Sequence, residues 1–246
     1  MIGSNFVTSK NNYGKCSLNK MNLIRMLDDL FHKDILNCKR CELSWKEPKD
    51  YNSKPEWELP PQWQFWAKNK FPCRGNVYYT LYRFDPIRRM EPNVVFVGLR
   101  PSTGHIPSIS DILFANALIE CGLAREKFSM DGDRFIYYET DVLVTDLICC
   151  RGLAKEKINA KHVKTCIDYL IAQFKLLEKY YGSIPKIIAI GTITKHKLEL
   201  KGVRRHLQEI GTKIMATVPH YGRRRKPEEY IKEFKNTLRK ERIVFK

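Results

Sequence analysis

Cys38-Lys39-Arg40-Cys41 forms a Cys-x-x-Cys, a spacing that lets a short turn offer two thiolates to one metal. Six more cysteines stand at positions 16, 73, 121, 149, 150 and 166. In an intracellular chain of this size, that many thiols argue for metal or redox chemistry ahead of disulfides. A second group of chemically able residues lies where apolar runs end. Gly98, Leu99, Arg100, Pro101 and Ser102 close one such run, Asp146 closes a second, and His220 follows a third. A carboxyl there can read a polar edge or activate water, and an imidazole can donate to a group on which charge develops. The plainer alternatives are an Asp146 that caps a helix or pairs with Arg151, and a His220 that sits in a surface loop. Just after His220 comes Arg223-Arg224-Arg225-Lys226, whose charge suits phosphates. The alternative is a solvated helix start, although cations at a helix N-terminus oppose its dipole.

Charge supports a polyanionic partner. Residues 1–150 hold 20 Lys and Arg against 18 Asp and Glu, whereas residues 151–246 hold 24 against 9. The net charge of +17 is therefore concentrated in the C-terminal part. Neutralising phosphates releases condensed counterions, which makes a nucleic acid the natural partner. A solvated basic face, or a thermophile's lysine enrichment, is the competing explanation. No run approaches the ~18 apolar residues a membrane span requires, and residues 1–16 lack the apolar core of a secretory signal. The expectation is a soluble, intracellular monomer, cytoplasmic or nucleoid-associated, without a membrane partner.

The elements that must position these residues are legible from periodicity. Residues 1–20 read as a loose polar arm, and residues 21–246 as one domain. Residues 21–37 carry a helical apolar period that runs straight into Cys38. Residues 45–90 read as an aromatic-rich, irregular insertion, with all four tryptophans between 45 and 66. From residue 92 the pattern becomes strand, loop and helix. Strands are expected at 93–98, 142–148, 186–190 and 213–218. Helices are expected at 111–121, with Ser110 as N-cap and Gly122 as its stop, at 161–181, after Gly191, and from Pro227. Uniformly apolar strands alternating with helices imply an α/β, three-layer αβα fold around a central, mainly parallel, four-stranded sheet. Sites in such sheets lie at the carboxyl ends of the strands.

In order, these segments resemble the uracil-DNA glycosylase superfamily, most closely its iron–sulfur branch (families 4 and 5). Cys38, Cys41 and Leu43 are similar to that branch's opening Cys-x-x-Cys and leucine. Gly98-Leu99-Arg100-Pro101-Ser102 is similar to its first loop, and Gly122-Leu123-Ala124-Arg125 to the end of its next helix. Thr145-Asp146-Leu147-Ile148-Cys149-Cys150-Arg151 resembles its Thr-Asn-x-x-Lys-Cys-Arg strand end. Cys166 and the residues after it, the strand over 185–191 and His220-Tyr221-Gly222 complete the set. The resemblance spans residues 38–41 and about 93–240.

The resemblance implies a uracil-DNA glycosylase-like fold and a DNA-repair glycosylase. Such an enzyme flips a damaged or deaminated base, uracil or a relative, and hydrolyses its N-glycosidic bond. It implies a [4Fe–4S] cluster on Cys38, Cys41, Cys150 and Cys166, with zinc as the alternative metal and Cys149 as the local rival of Cys150. Cys16, Cys73 and Cys121 are left as ordinary thiols. It places Gly98, Leu99, Arg100, Pro101 and Ser102 in the base pocket, with Asp146 reading the base and His220 donating to its carbonyl. Arg223, Arg224, Arg225 and Lys226 then contact DNA beside the extruded base. The chain departs from the pattern at Leu99, where family 4 has an acid, at Ile106, near the stacking aromatic, and at Asp146, where the family has Asn. The alternative function is an inactive, iron–sulfur-containing DNA-binding relative; an RNA-directed or nucleotide-directed one is a third.

Overall fold

The computed structural model describes residues 12–35, 37–41, 43, 81–87, 93–101, 109–129, 135–150, 157–221 and 226–243. Ser102, Ile106, Arg151, Arg223, Arg224, Arg225, Cys73 and all four tryptophans lie outside the described residues, as does most of the expected insertion.

Strands β2 (Val94–Gly98), β5 (Leu143–Asp146), β6 (Lys186–Ile190) and β7 (Ile214–Val218) form an all-parallel sheet in the order β5-β2-β6-β7. This is the four-stranded parallel sheet expected from the apolar runs. Because side chains alternate across a strand, each strand feeds two cores. Val94, Phe96, Val144, Ile188, Ile190, Ala216 and Val218 enter one core. Val95, Val97, Leu143, Ile187 and Ala189 enter the other. A sheet buried on both faces must be apolar at every position, which explains the unbroken runs.

Helices cover each face. On the first side lie α2 (Ile109–Glu120) and α6 (Pro227–Lys240), with Phe114 and Phe234 packed on Phe96. On the second lie α1 (Asn12–Asp29), α3 (Ala160–Tyr181) and α5 (Lys201–Glu209), which supply Leu23, Leu27, Val163, Ile167, Leu170, Val203 and Leu207. The short α4 (Thr192–Leu198) follows β6. Asn159 caps α3 by accepting from the His162 amide, while His162 Nδ1 accepts from the Asn159 amide, a reciprocal capping box. Among the described residues, no helix is long and apolar enough to cross a membrane.

Three differences from expectation bear on function. First, α1 begins at Asn12, so residues 12–20 are helical rather than part of a loose arm. The apolar period marks only the part that packs; helix formation continues beyond it. Leu23, Leu27, Phe31 and Ile35 are buried at every fourth position. Four residues overshoot a 3.6-residue turn, so such a stripe drifts around an ideal helix. A π-helical turn over Leu30–Ile35 widens the spiral where the drift would turn the stripe outward.

Second, Ser110 lies inside the first turn of α2 and does not cap it, since the helix already includes Ile109. Serines at 108 and 110 flank the start, and local sequence does not choose between them. Gly122 does stop the helix, with φ 66°.

Third, β1 (Tyr82–Phe84), β3 (Ala124–Ser129) and β4 (Phe135–Thr140) make a second sheet, ordered β1-β4-β3. β1 falls within the stretch expected to be irregular, β3 carries Arg125, Glu126 and Lys127 and does not read as a buried strand, and β4 is not among the expected strands. The second sheet packs Tyr82 and Tyr138 into the α2 core, and the Tyr82 hydroxyl donates to the Asp111 carbonyl at 2.6 Å. That bond ties the second sheet to the start of α2.

Candidate functional site

The register of the parallel sheet brings the expected site residues to one edge. Gly98, the last residue of β2, pairs with Asp146, the last residue of β5. The Leu147 amide donates to the Gly98 carbonyl at 2.9 Å and the Ile148 amide to the Leu99 carbonyl at 3.0 Å, so the two strand ends stay joined past the sheet. On the other flank, the Gly191 amide donates to the Val218 carbonyl at 2.9 Å, which joins the end of β6 to the approach to His220. Pro101 is buried, while Leu99 and Arg100 are half-buried.

Gly191 explains where His220 sits. Its φ of 86° and ψ of 155° belong to a region open essentially to glycine. A Cβ at Gly191 would stand 2.9 Å from the His220 Cβ. The side chain of His220 therefore rests on bare backbone. Its ring stacks on Tyr221, with centroids 4.7 Å apart and planes 19° apart. Tyr221 is buried and lies 5.4 Å from the Phe114 ring. The loop is thus pinned to α2 by an aromatic ladder while His220 faces solvent. Partial desolvation lowers the His220 pKa below the usual imidazole value. At neutral pH the ring is uncharged and has one N–H to donate.

Asp146 follows Val144 by two residues and so points to the α2 side of the sheet. It is 5% exposed, and neither carboxyl oxygen has a hydrogen-bond partner among the described residues. Burial pushes its pKa well above the ordinary carboxylate range; Asp111 adds to this, and Arg100 opposes it. Asp111 is itself buried, in the first turn of α2. Among the described residues Asp146 neither caps a helix nor forms an ion pair, and its carboxyl is enclosed at the end of a strand. Gly191 and the pairing of Asp111 with Asp146 were not legible in the sequence as parts of this site. A glycine directly after an apolar strand was the signal available.

The cysteines converge on the opposite side. Cys38 and Cys41 follow the π-helical turn, Cys149 and Cys150 follow β5, and Cys166 lies in α3; all five are buried free thiols. Asn37 Nδ2 donates to the His32 and Lys33 carbonyls at 3.0 and 3.1 Å, closing the turn ahead of Cys38. Arg40, inside the Cys-x-x-Cys, reaches α3, with Nη1 3.1 Å from Asp168 and its guanidinium 4.8 Å above the Tyr169 ring. Cys41, Cys150 and Cys166 share one core, and Cys38 and Cys149 meet in a smaller adjoining one with Phe31, Ile35 and Tyr169. Cys149 hydrogen-bonds to Cys166, and that bond, aided by Arg40, lowers the Cys166 pKa to about 7 against the effect of burial.

A set of buried, unoxidised thiols is the donor chemistry that soft metals and iron–sulfur clusters take. On that ground the residues fit the expected group. Among the described residues, no three His, Cys, Asp or Glu already stand as a metal cage. Cys121 stands apart in the α2 core, where burial raises its pKa to about 11, as expected of an ordinary thiol.

Of the basic run, Lys226 is described. It occupies the N-cap position of α6, is exposed, and lies 3.8 Å from Glu229. Glu228 and Glu229 in the first turn complement the helix dipole that the basic run would oppose. Neither a protein-family model nor a curated protein sequence matches the chain.

Proposed function

We propose that the protein is a DNA-repair glycosylase that hydrolyses the N-glycosidic bond of a flipped, damaged or deaminated base. The observation that carries this reading is the meeting of Gly98, Asp146, Gly191 and His220 at the carboxyl edge of one parallel sheet. Asp146 is enclosed and unpartnered among the described residues, while His220 is neutral and open to solvent. A buried polar reader and an accessible donor at the same edge of a sheet are the equipment needed to hold a base edge and stabilise a leaving base. The resemblance to the iron–sulfur branch of the uracil-DNA glycosylases supports the same assignment. The C-terminal basic charge supports DNA as the partner, with Arg223, Arg224, Arg225 and Lys226 holding phosphates.

Cys38, Cys41, Cys150 and Cys166 would hold a [4Fe–4S] cluster, or zinc in its place. The metal would serve structure, tying the turn after α1 to α3, where Arg40 and Asp168 already meet. In the reaction itself, the loop from Gly98 to Pro101 shapes the pocket floor, Asp146 reads the base, and His220 donates as charge develops on it. Leu99 favours one second reading. It puts no acid where family 4 activates water, which suits a relative that binds DNA without turnover.

Incubation with single-lesion oligonucleotides, followed by alkaline cleavage of abasic sites, separates the two. Excision of at least one base is expected. His220→Ala should lower turnover by about 10²-fold while leaving DNA affinity nearly intact, because one such donor acts mainly in the transition state. Cleavage of no substrate by wild-type protein would leave the binding reading.

A further inference from the structure

Asp141 and Asp146 are both buried, yet they are built differently. Asp141 is 2% exposed and accepts from Arg125 Nη1 at 2.9 Å and from the Ile87 amide at 2.8 Å. Among the described residues Asp146 has no donor to either oxygen. The charged groups that act on it are Asp111 from α2, of like sign, and Arg100 from the loop after β2, of opposite sign. From the segment after β5 the Cys149 thiol also feels it, and its own ionisation is opposed. A carboxylate enclosed without donors and beside a second acid costs several kcal/mol, so such a group keeps its proton. With the proton on, a carboxyl offers one O–H donor and one carbonyl acceptor, the same pair an amide side chain offers. With the proton off, it only accepts.

We propose that Asp146 works as a neutral carboxylic acid, kept so by its enclosure beside Asp111, and that it selects a base presenting an N–H next to a C=O. This rests on the glycosylase reading and names what that site recognises: the lactam edge of a deaminated base such as uracil or hypoxanthine. An ionised Asp146 would instead favour an edge with two adjacent donors. The acid thereby does an amide's work, with a limit that an amide lacks, because recognition fails when the proton leaves. Asp111 is a positioning residue for that proton and does not touch the base.

The test is single-turnover excision from a uracil-containing duplex across acid to alkaline pH, alongside infrared difference spectra of wild type against Asp146→Asn. Wild type should show a protonated carboxyl band at neutral pH, and excision should fall about tenfold per pH unit once that band titrates. Asp146→Asn, which keeps donor and acceptor at every pH, should lose the alkaline fall. Asp111→Asn should move the fall to lower pH, because removing a like charge eases ionisation. A carboxylate band at neutral pH in a protein that excises uracil overturns this inference and leaves the glycosylase reading intact. So does an Asp146→Asn protein that melts normally but excises nothing, since the carboxyl then does chemistry an amide cannot. If wild type excises no base, the glycosylase reading fails separately. Base recognition is then read from binding to duplex containing non-cleavable 2′-fluorodeoxyuridine over matched 2′-fluorodeoxycytidine duplex. The same pH limit, abolished by Asp146→Asn, sustains the inference, and no preference at any pH overturns it.

Discussion

Replacing Gly191 by alanine tests how the candidate site is positioned without altering any group placed against the base. Two costs follow from the structure. The backbone at φ 86° and ψ 155° is closed to side-chain-bearing residues, a strain of about 1–3 kcal/mol. The added methyl would also meet the His220 Cβ at 2.9 Å, inside the distance real Cβ atoms keep. For a chain of this size, each kcal/mol lowers Tm by about 2–4 °C. The backbone strain alone therefore lowers Tm by roughly 2–12 °C. The methyl must also push His220 and its loop outward, and displacement by about 1 Å from a productive geometry costs near 10²-fold in rate. Thermal unfolding and single-turnover excision read the two effects. A double-mutant cycle with His220→Gly separates them, since that change removes the clash but keeps the strained backbone. The Gly191→Ala penalty in stability should be smaller in the His220→Gly background. Equal penalties in both backgrounds would show that the two residues do not bear on each other. An unchanged Tm would refute the backbone argument outright.

Other expected outcomes follow from the same structure. Asp146→Asn should raise Tm at neutral pH and bring no gain in strong acid. A carboxyl whose folded pKa is raised contributes fully below its unfolded value and loses that contribution as pH climbs through the folded one; a gain equal at all pH values would sink this account. Protein purified without oxygen should be brown, with absorbance lost on iron chelation. Cys150→Ser and Cys166→Ser should lose the colour and Cys149→Ser keep it, whereas colourless protein with stoichiometric zinc would replace the cluster by zinc. Replacing Arg223, Arg224 and Arg225 together should weaken DNA binding across sequences. It should also flatten the log–log salt slope by about 0.9 for each phosphate no longer neutralised; an unaltered slope would mean a solvated basic run.

Local sequence was enough to define the four parallel strands and much of their helical cover, though not the onset of α1 or the division of the segment after Gly191 into α4 and α5. Strands such as β2 and β6 are buried on both faces, so every position must be apolar, and an unbroken run bounded by glycine admits few other readings. Helix α3 was equally legible, because a two-sided environment imposes a 3.6-residue period on it. Asp146 and His220 stood out because polar groups are costly to place at the ends of buried strands without a purpose, and the Cys-x-x-Cys stood out by its ligand spacing. The second sheet was not legible. β3 and β4 are solvated on one side and carry Arg125, Glu126, Lys127 and Glu139, so their pattern is set by partner strands distant in sequence. The environment of Asp146 was also beyond sequence. Asp111 is 35 residues away along the chain, and only the packing of α2 over β5 sets the two acids in one another's field. The need for glycine at 191 likewise arises from a histidine delivered by another strand. Periodicity records what each segment buries, because burial acts on every residue of a segment in turn. Which segment stands opposite, and hence which proton a carboxyl keeps, is a pairwise matter between distant parts of the chain, and it is settled only when the chain has folded.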